Sequence, residues 1–518
     1  MPENLSLEQI QNFKGKYPKQ LWYLFFSEMW ERFCFYGMRG MLTYFMVTQL
    51  MMKDDVANLQ YGATQAFVYA FTFIGGLFAD KILGFRKSLF WGGLLMIVGS
   101  AILSYDPHQF FFLGISFTVV GTGFFKPNIS TMVGSLYKSG DERRDAGFSL
   151  FYAGINIGAL LGGYACIAIG KEYSWHLAFG LAGIVMTISL ITFVFTKRTL
   201  GPIGLAPGEH ETLEEVTVDG IGNNPDTTPA TIVRKSANKK WYDYAVYAGS
   251  LAVIPVIMIM VAKTEYTDKF MYIIGPATLL YLFYEMTKYS WAERKKLLAA
   301  LVFILFSIIF WGIFEQSGGS LSLFAARNLN NTLLGSIVVD PNGVNNAANS
   351  LFVIIFAFLF GIIWLAMAKK KIEPNTLIKF GMGFLFLALA YYIFYATRFF
   401  ADANGVTSLD VFTVAYLFVT FGELCLSPIG LSIMTKLSPV KLQGVMMGMW
   451  FLASAYGQYA AGIIGASMSG TNSESESLVD KLITYTDGYK TLAIYSLVAG
   501  VVLILISPFV RKLMQEVK

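Results

Sequence analysis

Glu28-Met-Trp-Glu-Arg-Phe-Cys-Phe-Tyr-Gly-Met-Arg39 sets two acids and two bases inside an apolar and aromatic run that extends from Leu21 to Leu50. That run is long enough to cross a bilayer, whose hydrocarbon takes roughly 20 helical residues. At about 100° per residue, Glu28, Glu31, Arg32, Tyr36 and Arg39 fall within roughly 140° of one another around the helix. An intramembrane charge costs about 2.5 to 3.5 kcal/mol on insertion scales, so this face must look into protein or a water-filled cavity. Such residues mark substrate or proton pathways; the alternative is an acid–base ladder that welds helices together.

Composition agrees with a polytopic all-α membrane protein. Of 518 residues, 55% are hydrophobic and only 14% charged, more apolar surface than a soluble domain needs. The net charge of +5 comes from bases gathered at span ends, which argues for membrane topology and against nucleic-acid binding. Cys34, Cys166 and Cys425 lie in apolar spans with no CxxC and no nearby histidine, so they read as packing residues and not as a disulfide or metal site. Residues 1–19 are polar and precede a full-length span without a cleavage site, and read as a retained cytoplasmic tail.

Apolar spans are expected at about 20–50, 62–83, 87–104, 109–136, 144–170, 175–196, 241–262, 269–291, 297–328, 347–369, 376–400, 407–436, 441–469 and 484–512, fourteen in all. Lys81, Arg86, Lys87, Lys197, Arg198, Lys369, Lys436, Arg511 and Lys512 fall in loops on one side, while the alternate loops are poor in bases. By the positive-inside rule both termini are cytoplasmic, with 513–518 a short tail. Residues 197–240, rich in Gly, Pro, Thr and acids, read as a cytoplasmic linker.

A weak repeat joins the two ends of the chain. Glu315 in Ile-Phe-Trp-Gly-Ile-Phe-Glu-Gln-Ser echoes Glu31, Ser427-Pro428 echoes Lys126-Pro127, and Gly444 echoes Gly147, at offsets of 284, 301 and 297. Two six-helix bundles, 20–196 and 297–512, joined through an extra pair at 241–291, account for both the count and the offset. Parallel halves of this kind build major facilitator transporters, whose substrate sites lie at midplane between the halves. Gly75-Gly-Leu-Phe-Ala-Asp80-Lys-Ile-Leu-Gly84-Phe-Arg86-Lys87 resembles the signature of that superfamily, and Asp80 is assigned to gating.

Polar residues inside the later spans supply the rest of a candidate site. Lys126, beside a proline and glycines, needs a carboxylate partner, and Glu423 of the other half is the natural one, with Glu315 a second. A bridge between halves that forms and breaks would lock one access state; a permanent buried pair is the alternative. Asn156 and Asn349 offer neutral hydrogen bonds, to substrate or between helices. Tyr36, Tyr69, Trp311 and Trp450 are candidate pocket walls. His108, His176 and His210 form no catalytic group and no P-loop occurs, so the chain reads as a carrier without ATP chemistry, not an enzyme, and with no cofactor.

Five motifs resemble those of the proton-dependent oligopeptide transporter family (POT, also PTR2): Glu28-x-x-Glu31-Arg32-Phe-x-Phe-Tyr36-Gly, Gly-x-Gly-x-x-Lys126-Pro, Phe151-Tyr-x-x-Ile-Asn156-x-Gly, Phe-Glu315-Gln and Gly-Glu423-Leu-x-x-Ser427-Pro. The extra helix pair resembles bacterial members, hence an inner-membrane location. The resemblance implies symport of di- and tripeptides with protons, driven by the proton gradient and needing no protein partner. It implies proton coupling at Glu28, Glu31, Arg32 and Glu315, together with Lys126 and Glu423. Arg32, Lys126 and Arg39 are implied to meet the peptide carboxylate, and Glu423, Asn156 and Asn349 its amino terminus. Tyr36, Tyr69, Trp311, Trp450 and Ser427 fall at family pocket positions. Phe35 departs from the motif, where the family has tyrosine. The rival readings are a carrier of another anion such as nitrate, and a peptide sensor that does not transport.

Overall fold

Backbone groups in hydrocarbon have no water to bond, so a chain of this composition satisfies them within helices. The computed structural model describes residues 5–138, 140–206, 237–426, 430–469, 477–515 and 517. Among these are fourteen long helices: α1 (Lys19–Thr48), α2 (Asp54–Phe78), α3 (Phe85–Tyr105), α4 (Phe111–Ser135), α5 (Arg143–Glu172), α6 (Trp175–Thr196), α7 (Ala237–Ala262), α8 (Thr264–Met286), α9 (Trp291–Phe314), α10 (Pro341–Lys369), α11 (Thr376–Ala396), α12 (Leu409–Leu426), α13 (Gln443–Ser467) and α14 (Leu478–Met514). Ten are long and apolar enough to cross a membrane by length and composition alone; α1, with its buried charges, is among the other four. The chain is a multi-pass membrane protein.

Three departures from the sequence reading stand out. α2 begins at Asp54, well before the expected residue 62, because Asp54 and Asp55 sit in its first turn, where acids favour the helix dipole. The span expected at 297–328 breaks after Phe314 into a 3-10 turn, Glu315–Gly318, and a short helix, Ser320–Asn328. Gly318 and Gly319 stand at that break. The span expected at 407–436 is α12 followed by a separate short helix, Gly430–Leu437.

Two hydrophobic cores result. The first gathers α1 to α6 and the inner face of α7, through Val246, Ile254, Ile257 and Val261. The second gathers α9 to α14 with the end of α8, through Leu282 and Met286. A small cluster of Ala66, Met271, Ala455 and Tyr459 lies between them. The extra pair therefore straddles both halves.

Close approach of α1 to α5 places the charged face of α1. A Cβ at Gly158 would overlap the Met29 carbonyl oxygen and press on Arg32 Cβ, so only glycine fits. We expect Gly158→Val to lower the thermal midpoint of the purified protein by several degrees and to abolish transport, since overpacking costs about 1–3 kcal/mol. Gly361→Val, with open space around it, should leave both unchanged.

The halves meet firmly at one end, opposite the chain termini. Arg327 pairs with Asp54, and the Tyr485 hydroxyl lies 3.4 Å from Asp54 Oδ2. Asn58 Nδ2 donates to Ser469 Oγ at 3.1 Å, and Lys171 Nζ lies 2.7 Å from Asp340 Oδ2. That end is closed.

Candidate functional site

Below the closed end, a cavity of about 260 Å³ lies between the halves. The first half contributes Glu28, Arg32, Tyr36, Arg39, Tyr69, Lys126 and Asn156; the second contributes Trp311, Glu315, Asn349 and Glu423. All were expected from sequence, and the fold brings together residues from separate spans of both halves.

The cluster on α1 is the most deeply buried. Glu28 is 2% exposed, Glu31 0% and Arg32 1%. Arg32 Nε lies 3.1 Å from Glu28 Oε1 and is also paired with Glu31 Oε2. These contacts have ion-pair distances without hydrogen-bond angles, so Glu28 Oε2, both Glu31 oxygens and Arg32 Nη2 have no hydrogen-bond partner among the described residues. Buried charges with open hydrogen-bonding capacity are costly unless they gain a proton or a ligand. Glu31 sits behind the cavity wall, while Glu28 and Arg32 reach it. Phe35 lies under the guanidinium of Arg32 at 5.4 Å, a cation–π contact.

Two turns beyond Arg32, Arg39 crosses to the other half and pairs with Glu315, while its Nε donates to the Tyr61 hydroxyl at 2.7 Å. Thr43, on the same helix, donates to the Gly318 carbonyl. The break after Phe314 is what turns Glu315 toward Arg39. Lys126 takes a different position from the one expected: its Nζ stands 4.6 Å from the centre of the Tyr69 ring. Glu423 accepts instead from Asn349 Nδ2 at 2.9 Å. The midplane ion pair between halves is therefore Arg39 with Glu315, in place of Lys126 with Glu423, and both of the latter are left facing the cavity.

Asn156 donates its amide to the Tyr152 carbonyl at 2.9 Å on its own helix. Trp450 is a core residue of the second half beside Gly430, outside the cavity wall. Asp80 is exposed beyond the end of α2, far from the cavity. Ser427 lies outside the described residues. The cavity also has walls that sequence reasoning missed, among them Ser317, Asn345, Asn346 and Tyr416. Tyr416 donates to Asn345 Oδ1 at 2.6 Å, and Asn345 Nδ2 donates to the Ser317 carbonyl at 2.7 Å. The signal was present: Asn342, Asn345, Asn346 and Asn349 recur at three- and four-residue steps, one polar stripe on α10.

With this geometry in view, comparison with known proteins places the chain. The family model PTR2, described as the POT family, matches residues 86–477. "Peptide transporter YePEPT" of Yersinia enterocolitica is 34% identical, covering 96% of each chain. "Di-/tripeptide transporter" of Lactococcus lactis subsp. cremoris is 31% identical, covering 97% of each. Among solved structures, a mutant of the peptide transporter POT in complex with alafosfalin superposes with a TM-score of 0.78 at 31% identity, covering 99% of this chain and 100% of that one. A POT family transporter in complex with 5-aminolevulinic acid gives 0.79 at 26% identity, covering 98% and 100%. These relatives are transporters and not enzymes, and this chain belongs to the POT family.

Proposed function

We propose that the protein takes up di- and tripeptides together with protons by alternating access, with both termini in the cytoplasm of a cell bounded by this inner membrane. The observation that carries the reading is the division of charge in the cavity. Arg32 and Lys126 come from one half, and Glu423 with Asn349 from the other. A zwitterionic peptide of any side chain presents one carboxylate and one ammonium at similar separation, so such a cavity reads the ends and tolerates the middle. Relatives named as peptide transporters support the same substrate class.

Charge counting gives the coupling. Glu28, Glu31, Arg32 and Lys126 sum to zero when all are ionised. An arriving peptide carboxylate adds one negative charge, and one proton taken by the glutamates restores neutrality and loosens Arg32 from them. Proton and peptide thus bind more favourably together than either alone, which is thermodynamic coupling. Closure around the peptide would draw the halves together at the termini end, and release of the proton would reverse it.

Uptake of labelled dialanine into proteoliposomes tests this. Accumulation should require an inward proton gradient and should be competed by di- and tripeptides but not by free alanine or nitrate. Peptide binding without gradient-dependent uptake would overturn the assignment. Lys126→Gln should raise the KM for dialanine about 10- to 100-fold, the loss of one charge-assisted hydrogen bond worth about 1.5–3 kcal/mol.

A further inference from the structure

At the end of the molecule where both chain termini lie, a second cavity of about 310 Å³ opens between α3, α6 and α7. Arg86, Lys87, Lys197 and Arg198 line it, above a floor that includes Phe90 and Phe193. Two of these cations have structural duties. Arg86 donates to the carbonyls of Ile203 and Gly201 at 2.6 and 2.5 Å, which fastens the segment after α6 as a wall. Lys87 lies 2.9 Å from Asp243 and ties α7 to α3. Lys197 and Arg198 have no ion-pair partner among the described residues. Lys197 and Arg198 thus make this a basic cavity over an apolar base.

Its depth is set by its neighbours. Phe195 is 80% exposed, Trp241 71% and Tyr244 63%, a ring of outward aromatics of the sort that settles at the membrane interface. A basic pocket between helices at that level matches the phosphate of a lipid headgroup, with the first acyl carbons on the apolar floor. A free phosphate would satisfy the cations but leave the exposed ring of Phe90 uncovered.

We propose that this cavity binds the phosphate of an anionic phospholipid, through Lys197 and Arg198, and so seats the extra helix pair against the first half. The occupant rests on α7 as well as on α3 and α6, because Tyr247 closes the cavity and its ring packs 4.7 Å from that of Trp91.

Native mass spectrometry of the full-length protein in detergent tests the proposal, titrating dioleoyl phosphatidylglycerol against dioleoyl phosphatidylcholine. Wild type should retain the anionic lipid about tenfold more strongly, and Lys197→Gln/Arg198→Gln should bring the two lipids level. Arg198→Glu alone should do the same, which guards against a double variant that folds poorly; an unchanged thermal midpoint certifies each. Equal retention of the two lipids by wild type, or undiminished selectivity in folded variants, would overturn it. So would displacement of the lipid by millimolar inorganic phosphate, which would make the site one for a free anion.

Discussion

Glu31→Gln should abolish uphill accumulation of peptide while leaving exchange of labelled for unlabelled dialanine across the membrane at a rate near that of wild type. A gradient of about two pH units offers about 2.7 kcal/mol per coupled proton, enough for about hundredfold accumulation. The mutant should fall to a ratio of about one. The reason is charge and position together. Glu31 is wholly buried behind the cavity wall and neither of its oxygens has a hydrogen-bond partner among the described residues, so the peptide meets Arg32 and Glu28 before it meets Glu31. Glutamine keeps the volume and stays neutral, fixing the cluster in the state that a bound proton would create. Arg32 is then permanently available to the carboxylate, and peptide passes without a proton. Undiminished gradient-driven accumulation by this mutant would exclude Glu31 from coupling.

The first helix could be read from sequence because its four charges are expensive and share a face; the fold makes that face line the cavity or stand directly behind it. The wall residues Tyr36, Tyr69, Asn156, Trp311, Asn349 and Glu423 were likewise legible, as polar or aromatic groups inside apolar spans. Pairing was not. Three cations and three acids reach the cavity, and a one-dimensional pattern does not say which stand at the same depth, so the bridge between halves was sought at Lys126 and Glu423 and lies at Arg39 and Glu315. The break that creates it, after Phe314, hides inside a run read from sequence as one span. Trp450 misled for a different reason: in a chain so rich in aromatics, most of them fill cores. The span expected at 62–83 leaves Asp54 outside it: its partner Arg327 is 273 residues away, and no local signal announces so distant a pair.

The Arg39–Glu315 pair gives the second large effect. Its side chains are 12% and 5% exposed, and a buried pair broken at one partner leaves an uncompensated charge that costs about 3–5 kcal/mol, whereas replacing both is far milder. In this molecule the cost applies to the state in which the halves are closed above the cavity, because opening that end lets water reach the orphaned group. Arg39→Met and Glu315→Gln should therefore each shift the protein toward opening at that end by about a hundredfold or more, and the double variant should close again. Spin labels at Met51 and Leu334, which stand exposed on opposite halves at that end, report the change as a distance distribution. The three native cysteines are buried, so labelling at Met51→Cys and Leu334→Cys is selective. Each single variant should add a longer distance to the population, and the double variant should return to the wild-type distribution while remaining unable to accumulate peptide. Single variants that keep the wild-type distances would show that Asp54–Arg327 and Lys171–Asp340 hold the end shut unaided, and would reduce Arg39 and Glu315 to residues of the cavity alone.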